Sequence, residues 1–262
     1  MLDAKGNLYG TTNYGGAYGA GIVFELTSSG AEKILHSFNV DGTDGFYPEA
    51  GLLLDTKGNL YGTTVEGGAF GVDGTVFKLT PTKKGWTETI VHSFGATGDG
   101  GQPYAVLTLD TAGNLYGTAF YGGAYSQGTV FELTSSGTEK ILWSFGNGMD
   151  GANPIAGVAR DTKGNLYGTT EYGGAHGYGT VFELTSSGTE KILWSFRNGT
   201  DGANPIAGVV LGKTGNIYGT TSNGGAYGSG TVFKVTLSGR ETILHRNRTL
   251  ADKTRSAYAL SL

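Results

Sequence analysis

The stretch N-L-Y-G-T-T at residues 165–170 decides the fold, because it recurs at nearly constant intervals along the chain. Its tyrosine occurs five times, as Tyr9, Tyr61, Tyr116, Tyr167 and Tyr218. A Gly-Gly pair begins six residues after each of these tyrosines. The spacings of 52, 55, 51 and 51 residues define a tandem repeat. The second unit is longer because residues are added at 71–74 and 81–86, and such glycine- and proline-bearing insertions are typical of loops.

Each repeat contains four short segments with the composition of β-strands. In the fourth repeat these segments span residues 155–161, 165–170, 180–185 and 190–196. They are rich in β-branched and aromatic residues, they are too short for helices, and turn-forming residues separate them. The segments D-T-K-G-N at 161–165 and T-S-S-G at 185–188 are typical of tight hairpins. Four antiparallel strands per repeat predict one propeller blade, so the chain is predicted to be an all-β, five-bladed β-propeller.

The predicted repeats form a single domain over residues 1–262, and they occupy approximately 1–48, 49–103, 104–154, 155–205 and 206–256. The first repeat begins just before its second strand, so we expect it to lack an opening strand. Residues 257–262 resemble residues 104–108. We therefore expect this C-terminal strand to pair with the N-terminal blade and close the ring, which removes sheet edges that promote aggregation.

Composition excludes several classes of function. The 262 residues include 49 glycines and no cysteine, which rules out disulfides, thiolate metal sites and thiol nucleophiles. A net charge of −4 provides no basic field for nucleic acid or anionic lipid, and no apolar run is long enough to span a bilayer. We expect no nucleic-acid partner, no membrane partner, no cofactor, and a monomer.

The repeat also resembles known families. The order G-x-[VA]-x-x-D-x-x-G-N-[LI]-Y, then V-F, then L-x-S-F, resembles the blades of NHL-type propellers. The series Y-G-T-T, Gly-Gly and G-T-V-F resembles more closely the GloVer tandem repeat of bacterial secreted and surface proteins, and residues 1–245 carry it. Ala119 and Ile22 each replace a threonine of the pattern. This resemblance implies an extracellular or cell-surface repeat domain and no particular activity, and the lack of cysteine also fits the cytoplasm.

One end of each predicted blade carries the long loops. An up-and-down meander places the Gly-Gly loop and the crossover to the next repeat at one end and the two short hairpins at the other. Binding residues usually lie on such loops. The residue after Gly-Gly-Ala is aromatic or histidine in every repeat: Tyr18, Phe70, Tyr125, His176 and Tyr227. A neighbouring loop position is more variable: Tyr14, Glu66, Tyr121, Tyr172 and Asn223.

These ten residues are the candidate ligand-binding residues. Flat rings stack on sugars, and tyrosine adds a hydroxyl group to its apolar surface. Alternatively, the repeated ring packs its loop onto the next blade.

Acidic and histidine residues also recur. The crossover aspartates Asp44, Asp99, Asp150 and Asp201 each precede a glycine. Their oxygens suit calcium, but none completes an EF-hand spacing and Asp-Gly is a common turn pair, so turn formation is our main interpretation and no metal site is predicted. One fourth-strand position holds His36, His92, Trp143, Trp194 and His245. Exchange of histidine with tryptophan indicates packing rather than a metal ring.

The near symmetry of the repeats argues against an asymmetric catalytic set. Residues 130–145 recur without change as 181–196. We predict a non-catalytic, lectin-like module that binds glycans or other extracellular polymers. The alternatives are a structural or display domain without its own ligand, and a glycoside-active enzyme whose carboxylates come from Glu49, Glu66, Asp99 and Asp150.

Overall fold

A computed structural model describes residues 1–248, and this part of the chain contains β-strands and no helix. The strands of the first three repeats are β1 (Leu8–Thr12), β2 (Ile22–Leu26), β3 (Glu32–Ser37), β4 (Gly45–Phe46), β5 (Leu53–Leu54), β6 (Leu60–Thr64), β7 (Glu66–Gly67), β8 (Thr75–Thr82), β9 (Gly85–Ser93), β10 (Gly100–Gly101), β11 (Thr108–Leu109), β12 (Leu115–Ala119), β13 (Tyr121–Gly122), β14 (Thr129–Leu133) and β15 (Glu139–Ser144). Those of the last two repeats are β16 (Ala159–Arg160), β17 (Leu166–Thr170), β18 (Thr180–Leu184), β19 (Glu190–Ser195), β20 (Val210–Leu211), β21 (Ile217–Thr220), β22 (Thr231–Val235) and β23 (Glu241–Arg246).

Each repeat forms one open antiparallel meander. The strand orders are β1-β2-β3, β5-β6-β8-β9, β11-β12-β14-β15, β16-β17-β18-β19 and β20-β21-β22-β23. The described chain divides into two compact units, residues 1–119 with 131–141 and residues 120–130 with 142–248. The predicted all-β class is confirmed, and the predicted four strands are present in the second to fifth repeats, whereas the first sheet has three.

The pairing of the second and third strands explains the conserved order of residue types in each repeat. In the fourth sheet Gly168 lies opposite Phe182, and Thr170 lies opposite Thr180. A Cβ atom on Gly168 would lie 2.6 Å from the Phe182 ring, so glycine leaves the space that the ring fills. The two threonine hydroxyls hydrogen-bond each other at 2.9 Å inside the sheet. This register therefore buries both the ring and the hydroxyl pair.

Phenylalanine pairs join successive repeats within each unit. The residue that follows the fourth strand of one repeat packs edge-on against the third-strand phenylalanine of the next, with ring centroids 5.1–5.2 Å apart: Phe38–Phe77, Phe94–Phe131, Phe145–Phe182 and Phe196–Phe233. All eight rings are fully buried. Burial of one such side chain stabilises a fold by about 1.5–3 kcal/mol, so these pairs form the main hydrophobic contact between neighbouring sheets.

The opening strands differ from the prediction. Residues 155–161 were expected to form a strand, but only β16 pairs with its neighbour. Pro154 precedes this segment and Gly157 interrupts it, and both residue types weaken strand pairing. Because the opening strands are so short, Leu2 suffices to bridge Leu8 in the first sheet, and Met1 exchanges hydrogen bonds with Tyr9. The first sheet therefore has three strands, as expected, and this single bridge lies at the place of the absent opening strand.

Residues 257–262, which we expect to close the ring, lie outside the described residues. No helix suited to crossing a membrane occurs in residues 1–248.

Candidate functional site

The two hairpins of each repeat lie together at one end of its sheet. In the fourth repeat Asp161 accepts hydrogen bonds from the backbone of Lys163 and Asn165, and Asn165 accepts one from the backbone of Ser186 in the other hairpin. Burial alone would raise the pKa of Asp161, but the hydrogen bonds from Asn165 and Lys163 outweigh it and lower the pKa. Asp3, Asp55 and Asp110 make the same bonds, so all four aspartates stabilise their turns.

The Gly-Gly loop lies at the opposite end of the sheet and has a fixed backbone geometry. Gly173 and Gly174 both have φ near +74°, a conformation that favours glycine. A Cβ atom on Gly174 would also lie only 2.5 Å from the Thr180 methyl group. The amide of the next residue, Ala175, then donates to the Ser195 hydroxyl at 3.3 Å. These contacts hold the loop to the fourth strand and direct the following residue, His176, outward.

The residue after Gly-Gly-Ala is exposed in every repeat. Tyr18 is 64% exposed, Phe70 52%, Tyr125 48% and Tyr227 53%, and His176 is also exposed. A ring that fixed its loop to the next sheet would be buried, so the packing interpretation does not describe these side chains. These side chains are accessible, and their role in ligand binding stays a prediction.

Each of these rings lies beside the start of the crossover that leaves its own repeat. Tyr18 lines an open cleft of about 370 Å³ with Asn39, Val40 and Asp41. In the last two repeats an arginine occupies the start of the crossover. The Arg197 Nε atom donates to His176 Nε2 at 3.2 Å, and the Arg248 guanidinium lies 5.4 Å from the centre of the Tyr227 ring.

In the second and third repeats a glycine of the crossover backbone lies beside the ring, where the last two repeats have an arginine. A Cβ atom on Gly95 would lie 2.8 Å from the Phe70 Cβ, and a Cβ atom on Gly146 would lie 2.8 Å from the Tyr125 Cβ. The five loops therefore share one arrangement, in which a flat ring stands beside a polar or glycine-rich crossover.

The second set of predicted residues lies on the other side of the loop. Tyr14, Tyr121 and Tyr172 are 68%, 48% and 44% exposed, Asn223 is exposed, and Glu66 is half-buried. In three repeats this residue bridges the backbone of the crossover that enters the repeat, in the pairs Glu66–Phe46, Tyr172–Ala152 and Asn223–Ala203. Tyr14 instead places its ring 5.2 Å from the Tyr47 ring. In the second, fourth and fifth repeats the two predicted residues therefore contact different crossovers, whereas in the first repeat Tyr14 and Tyr18 both lie beside the crossover that leaves that repeat.

Three crossover aspartates, Asp44, Asp99 and Asp150, are buried next to the fourth strand, and Asp201 is half-buried. Asp44 accepts hydrogen bonds from His36 Nε2 and from the Asn39 backbone, both at 3.1 Å. His36 Nε2 also lies 3.5 Å from an oxygen of Glu88, in the fourth strand of the next repeat. Burial alone would lower the pKa of His36, but its hydrogen bond to Asp44 and the charge of Glu88 outweigh burial and raise the pKa. The sequence analysis did not single out Glu88, because it approaches from another repeat.

The next repeat contains the same cluster. His92 Nε2 lies 3.1 Å from Asp99 Oδ2 and 3.9 Å from Glu139 Oε1. Burial and the neighbouring Asp99 raise the pKa of Glu139. Burial would also raise the pKa of Asp99, but hydrogen bonds from His92 and Glu139 lower it. Two adjacent carboxyl groups therefore have pKa values shifted in opposite directions.

Tryptophan replaces histidine in the third and fourth repeats. Trp143 Nε1 donates to Asp150 Oδ2 at 3.2 Å, and Asp201 accepts a hydrogen bond from the Arg197 backbone. These aspartates hold the start of the crossover, which supports turn formation. Within residues 1–248 neither belongs to a group of three potential metal ligands. The three ligands around Asp44 and around Asp99 include a nitrogen, which suits calcium poorly.

The proposed catalytic carboxylates occupy separate surroundings. Glu49 is exposed and accepts a hydrogen bond from Asn13, whereas Glu66 pairs through its backbone in β7. Asp99 and Asp150 bond to the rings of their own fourth strands. No contact joins any two of these four carboxylates in the described part of the chain.

Solved structures of low identity share the fold. Puromycin hydrolase has a TM-score of 0.57 at 13% identity, with 94% of this chain and 38% of that chain covered. A candidate 6-phosphogluconolactonase from Bacteroides uniformis has a TM-score of 0.54 at 15% identity, covering 94% and 69%. A candidate gluconolactonase has a TM-score of 0.50 at 13% identity, covering 94% and 83%. These similarities show a propeller-like all-β fold and no more.

No curated relative matches the chain. The family model described as the Gloeobacter/Verrucomicrobia repeat matches residues 1–161 and 121–260, which together include almost the whole sequence. The match agrees with the resemblance that the Y-G-T-T, Gly-Gly and G-T-V-F pattern indicates. The chain therefore belongs to the Gloeobacter/Verrucomicrobia repeat family.

Proposed function

We propose that this protein is a non-catalytic carbohydrate-binding module whose repeated loops each present one flat ring to a glycan. The observation that carries the proposal is the repeated exposure of the residue after Gly-Gly-Ala, which is about half or more exposed at Tyr18, Phe70, Tyr125 and Tyr227. Exposed aromatic rings provide flat, weakly apolar surface at low entropic cost, which suits the apolar face of a sugar ring.

Polar groups lie next to these rings. In the first repeat Asn39 and Asp41 line the same cleft as Tyr18, and its volume of about 370 Å³ is within the range of small-molecule sites. Sugar hydroxyls need such donors and acceptors beside the stacking surface. The second set, Tyr14, Glu66, Tyr121, Tyr172 and Asn223, is proposed to extend contact along a longer glycan on the other side of the loop.

Repetition compensates for weak single contacts. Several sites on one chain raise the apparent affinity for a polymer well above that of each site. We therefore propose glycans or other extracellular polymers as partners of a monomeric protein at the cell surface or outside the cell. The five-bladed ring closed by residues 257–262 also remains a proposal, supported by the five-fold sequence repeat.

A glycan array probed with the full chain tests the function, followed by calorimetric titration of the best oligosaccharide. Replacement of Tyr18, Tyr125 and Tyr227 by alanine should reduce affinity about five-fold per ring, since a ring contact contributes about 1 kcal/mol. Tyrosine-to-phenylalanine variants should retain most of the stacking.

Leu237→Ser is the matched control. Leu237 is 41% exposed in the hairpin of the fifth repeat, where the other repeats have serine or a longer hairpin, and this hairpin lies at the end of the sheet away from the Gly-Gly loop. The control should bind as the unchanged protein does. Absence of any glycan signal would favour the display domain instead. Hydrolysis of a bound oligosaccharide that is lost on replacing one carboxylate would favour the enzyme.

A further inference from the structure

Two clusters in the first unit combine a histidine nitrogen with carboxylates from two successive repeats. In one cluster His36 comes from β3, Asp44 from the following crossover and Glu88 from β9. The other cluster has His92, Asp99 and Glu139 in the same order. In each cluster the potential ligand atoms all lie within 4.8 Å of one another. A metal ion with bonds of about 2 Å can join three such atoms after small side-chain adjustments.

The clusters contain buried oxygens without partners. Asp44 is only 5% exposed, and its Oδ1 atom has no hydrogen-bond partner among the described residues. The Oε1 atoms of Glu88 and Glu139 are also buried and make no hydrogen bond in this part of the chain, although Glu139 Oε1 lies 3.9 Å from His92 Nε2. A buried carboxylate oxygen without a hydrogen bond is costly, so these oxygen atoms are free to accept a cation as a partner.

The tryptophan repeats provide an internal comparison. Trp143 donates its indole N–H to Asp150 at 3.2 Å, in the geometry that His36 and His92 show toward their own aspartates. An indole nitrogen has no lone pair for a metal, whereas a neutral imidazole has one. Glu190 also has a buried, unpaired oxygen, so the third repeat has the carboxylates of the cluster and lacks only its nitrogen ligand. The fold thus accepts either ring, and only the histidine repeats have a complete ligand set.

We propose that these two clusters each bind one divalent transition-metal cation, with Zn²⁺ as the probe. A set of one imidazole and two carboxylates fits zinc, and three protein ligands leave a position for water. Calcium prefers six to eight oxygens, which these clusters lack. The cation takes the place of the proton on the histidine Nε2 atom, so binding releases protons to solvent. Because the ligands come from two repeats, the bound ion links neighbouring fourth strands.

The experiment uses the full chain and Zn²⁺ alone, with bound metal counted by equilibrium dialysis and elemental analysis. The unchanged protein should bind about two ions. His36→Trp should remove one site, and the double variant His36→Trp/His92→Trp should remove both, since both substitutions copy residues that natural repeats carry at this position. Trp143→His should add a site. The exposed His176 and His245 contribute a weak background common to all four proteins.

A second measurement separates binding from a folding defect. Zinc should raise the melting temperature of the unchanged protein and leave that of the double tryptophan variant unchanged. If circular dichroism shows that a tryptophan variant does not fold, Glu88→Gln and Glu139→Gln remove one ligand each with little change of volume and should each lose one ion. Equal zinc binding by the unchanged protein and by folded variants lacking either ligand would overturn the proposal.

Discussion

Gly168 and Phe182 show how one pair of residues determines local packing. Gly168→Ala would place a methyl group 2.6 Å from the buried ring, so we expect the free energy of unfolding to fall by about 1–3 kcal/mol. Gly208→Ala is the control, because its nearest neighbour would be 3.7 Å away and its φ is not positive. Urea denaturation of both variants measures the difference. Equal losses would show that the ring has room to move.

Glu190 gives the molecule a pH-dependent stability. Burial and the charge of Asp150 raise the pKa of Glu190 to about 7, whereas a glutamate in an unfolded chain has a pKa of about 4.3. The folded state therefore holds this proton more tightly, and the contribution to stability falls as pH rises from about 4.3 to 7. Glu190→Gln should raise stability by about 1–2 kcal/mol at pH 8, after allowance for partial exposure, and have little effect at pH 4.

Denaturation of Glu190→Gln at these two pH values measures the effect. The control is Glu32→Gln, since Glu32 begins the fourth strand of the first repeat but is exposed. Its substitution should leave stability unchanged at both pH values. An effect of Glu190→Gln that is the same at both pH values would show that the raised pKa of Glu190 is not the source of the pH-dependent stability.

At the scale of single residues the sequence left open whether the ring after Gly-Gly-Ala binds a ligand or packs its loop onto the next blade. Tyr18 and Tyr227 are exposed, which the sequence did not decide because burial in a loop depends on the neighbouring repeat. Glu88 and Glu139 were not predicted, because their importance depends on a register between two repeats that residue spacing within one repeat does not reveal. A carboxylate repeated in a strand otherwise rich in apolar residues is the signal that could have found them.

The Asp-x-x-Gly-Asn hairpin is the element whose stability is easiest to test. Asp161 receives hydrogen bonds from two backbone amides, from the Asn165 side chain and from the Tyr167 hydroxyl. Asp161→Ala should lower the free energy of unfolding by about 1–2 kcal/mol. Asp161→Asn should cost less because an amide oxygen still accepts the backbone bonds. Thermal denaturation distinguishes the two variants.

The fifth repeat shows that the loss of this carboxylate does not prevent the hairpin from forming. Gly212 replaces the aspartate there, yet the hairpin keeps the Gly212–Asn216 backbone bond at 2.8 Å. The turn therefore forms without the carboxylate, and Asp161→Ala should still fold. An unfolded Asp161→Ala protein would mean that the carboxylate has a role beyond the turn.

The second, third and fourth strands were predicted closely, whereas the opening strands were not. β17 is buried throughout, β18 is buried except at Glu183, and β19 is mostly half-buried. The apolar and aromatic composition of these short segments between turn residues is visible in the sequence. The opening segment has an apolar composition but includes Gly157 after Pro154, so only two residues pair. The insertion in the second repeat was predicted as a loop, and much of it instead extends the β8–β9 ladder, where Pro81 pairs with Trp86.

At the scale of the whole molecule, the repeat period predicted the family and the propeller-like class. Five similar units with a period of about 50 residues are specific to a small number of architectures. The predicted closure could not be compared with the described residues, since it depends on residues 257–262.

Deletion of residues 257–262 tests the closed ring. If these residues complete the first sheet, their removal should lower the melting temperature by several degrees, on the order of 1–2 kcal/mol, because an open sheet edge is left. Replacement of the same residues by a Gly-Ser segment of equal length is the companion variant and should have the same effect. A melting temperature unchanged by both variants would contradict a closed five-bladed ring.

The attachment of each Gly-Gly-Ala turn has an evolutionary consequence. The turn is held by main-chain geometry and by an alanine amide that donates to a serine hydroxyl, so the next side chain contributes little to its shape. Natural drift can therefore exchange that side chain for another without refolding the scaffold, as the occurrence of Tyr, Phe and His at this point illustrates. A lineage that carries this domain can change its ligand specificity by single codon changes, in one repeat at a time.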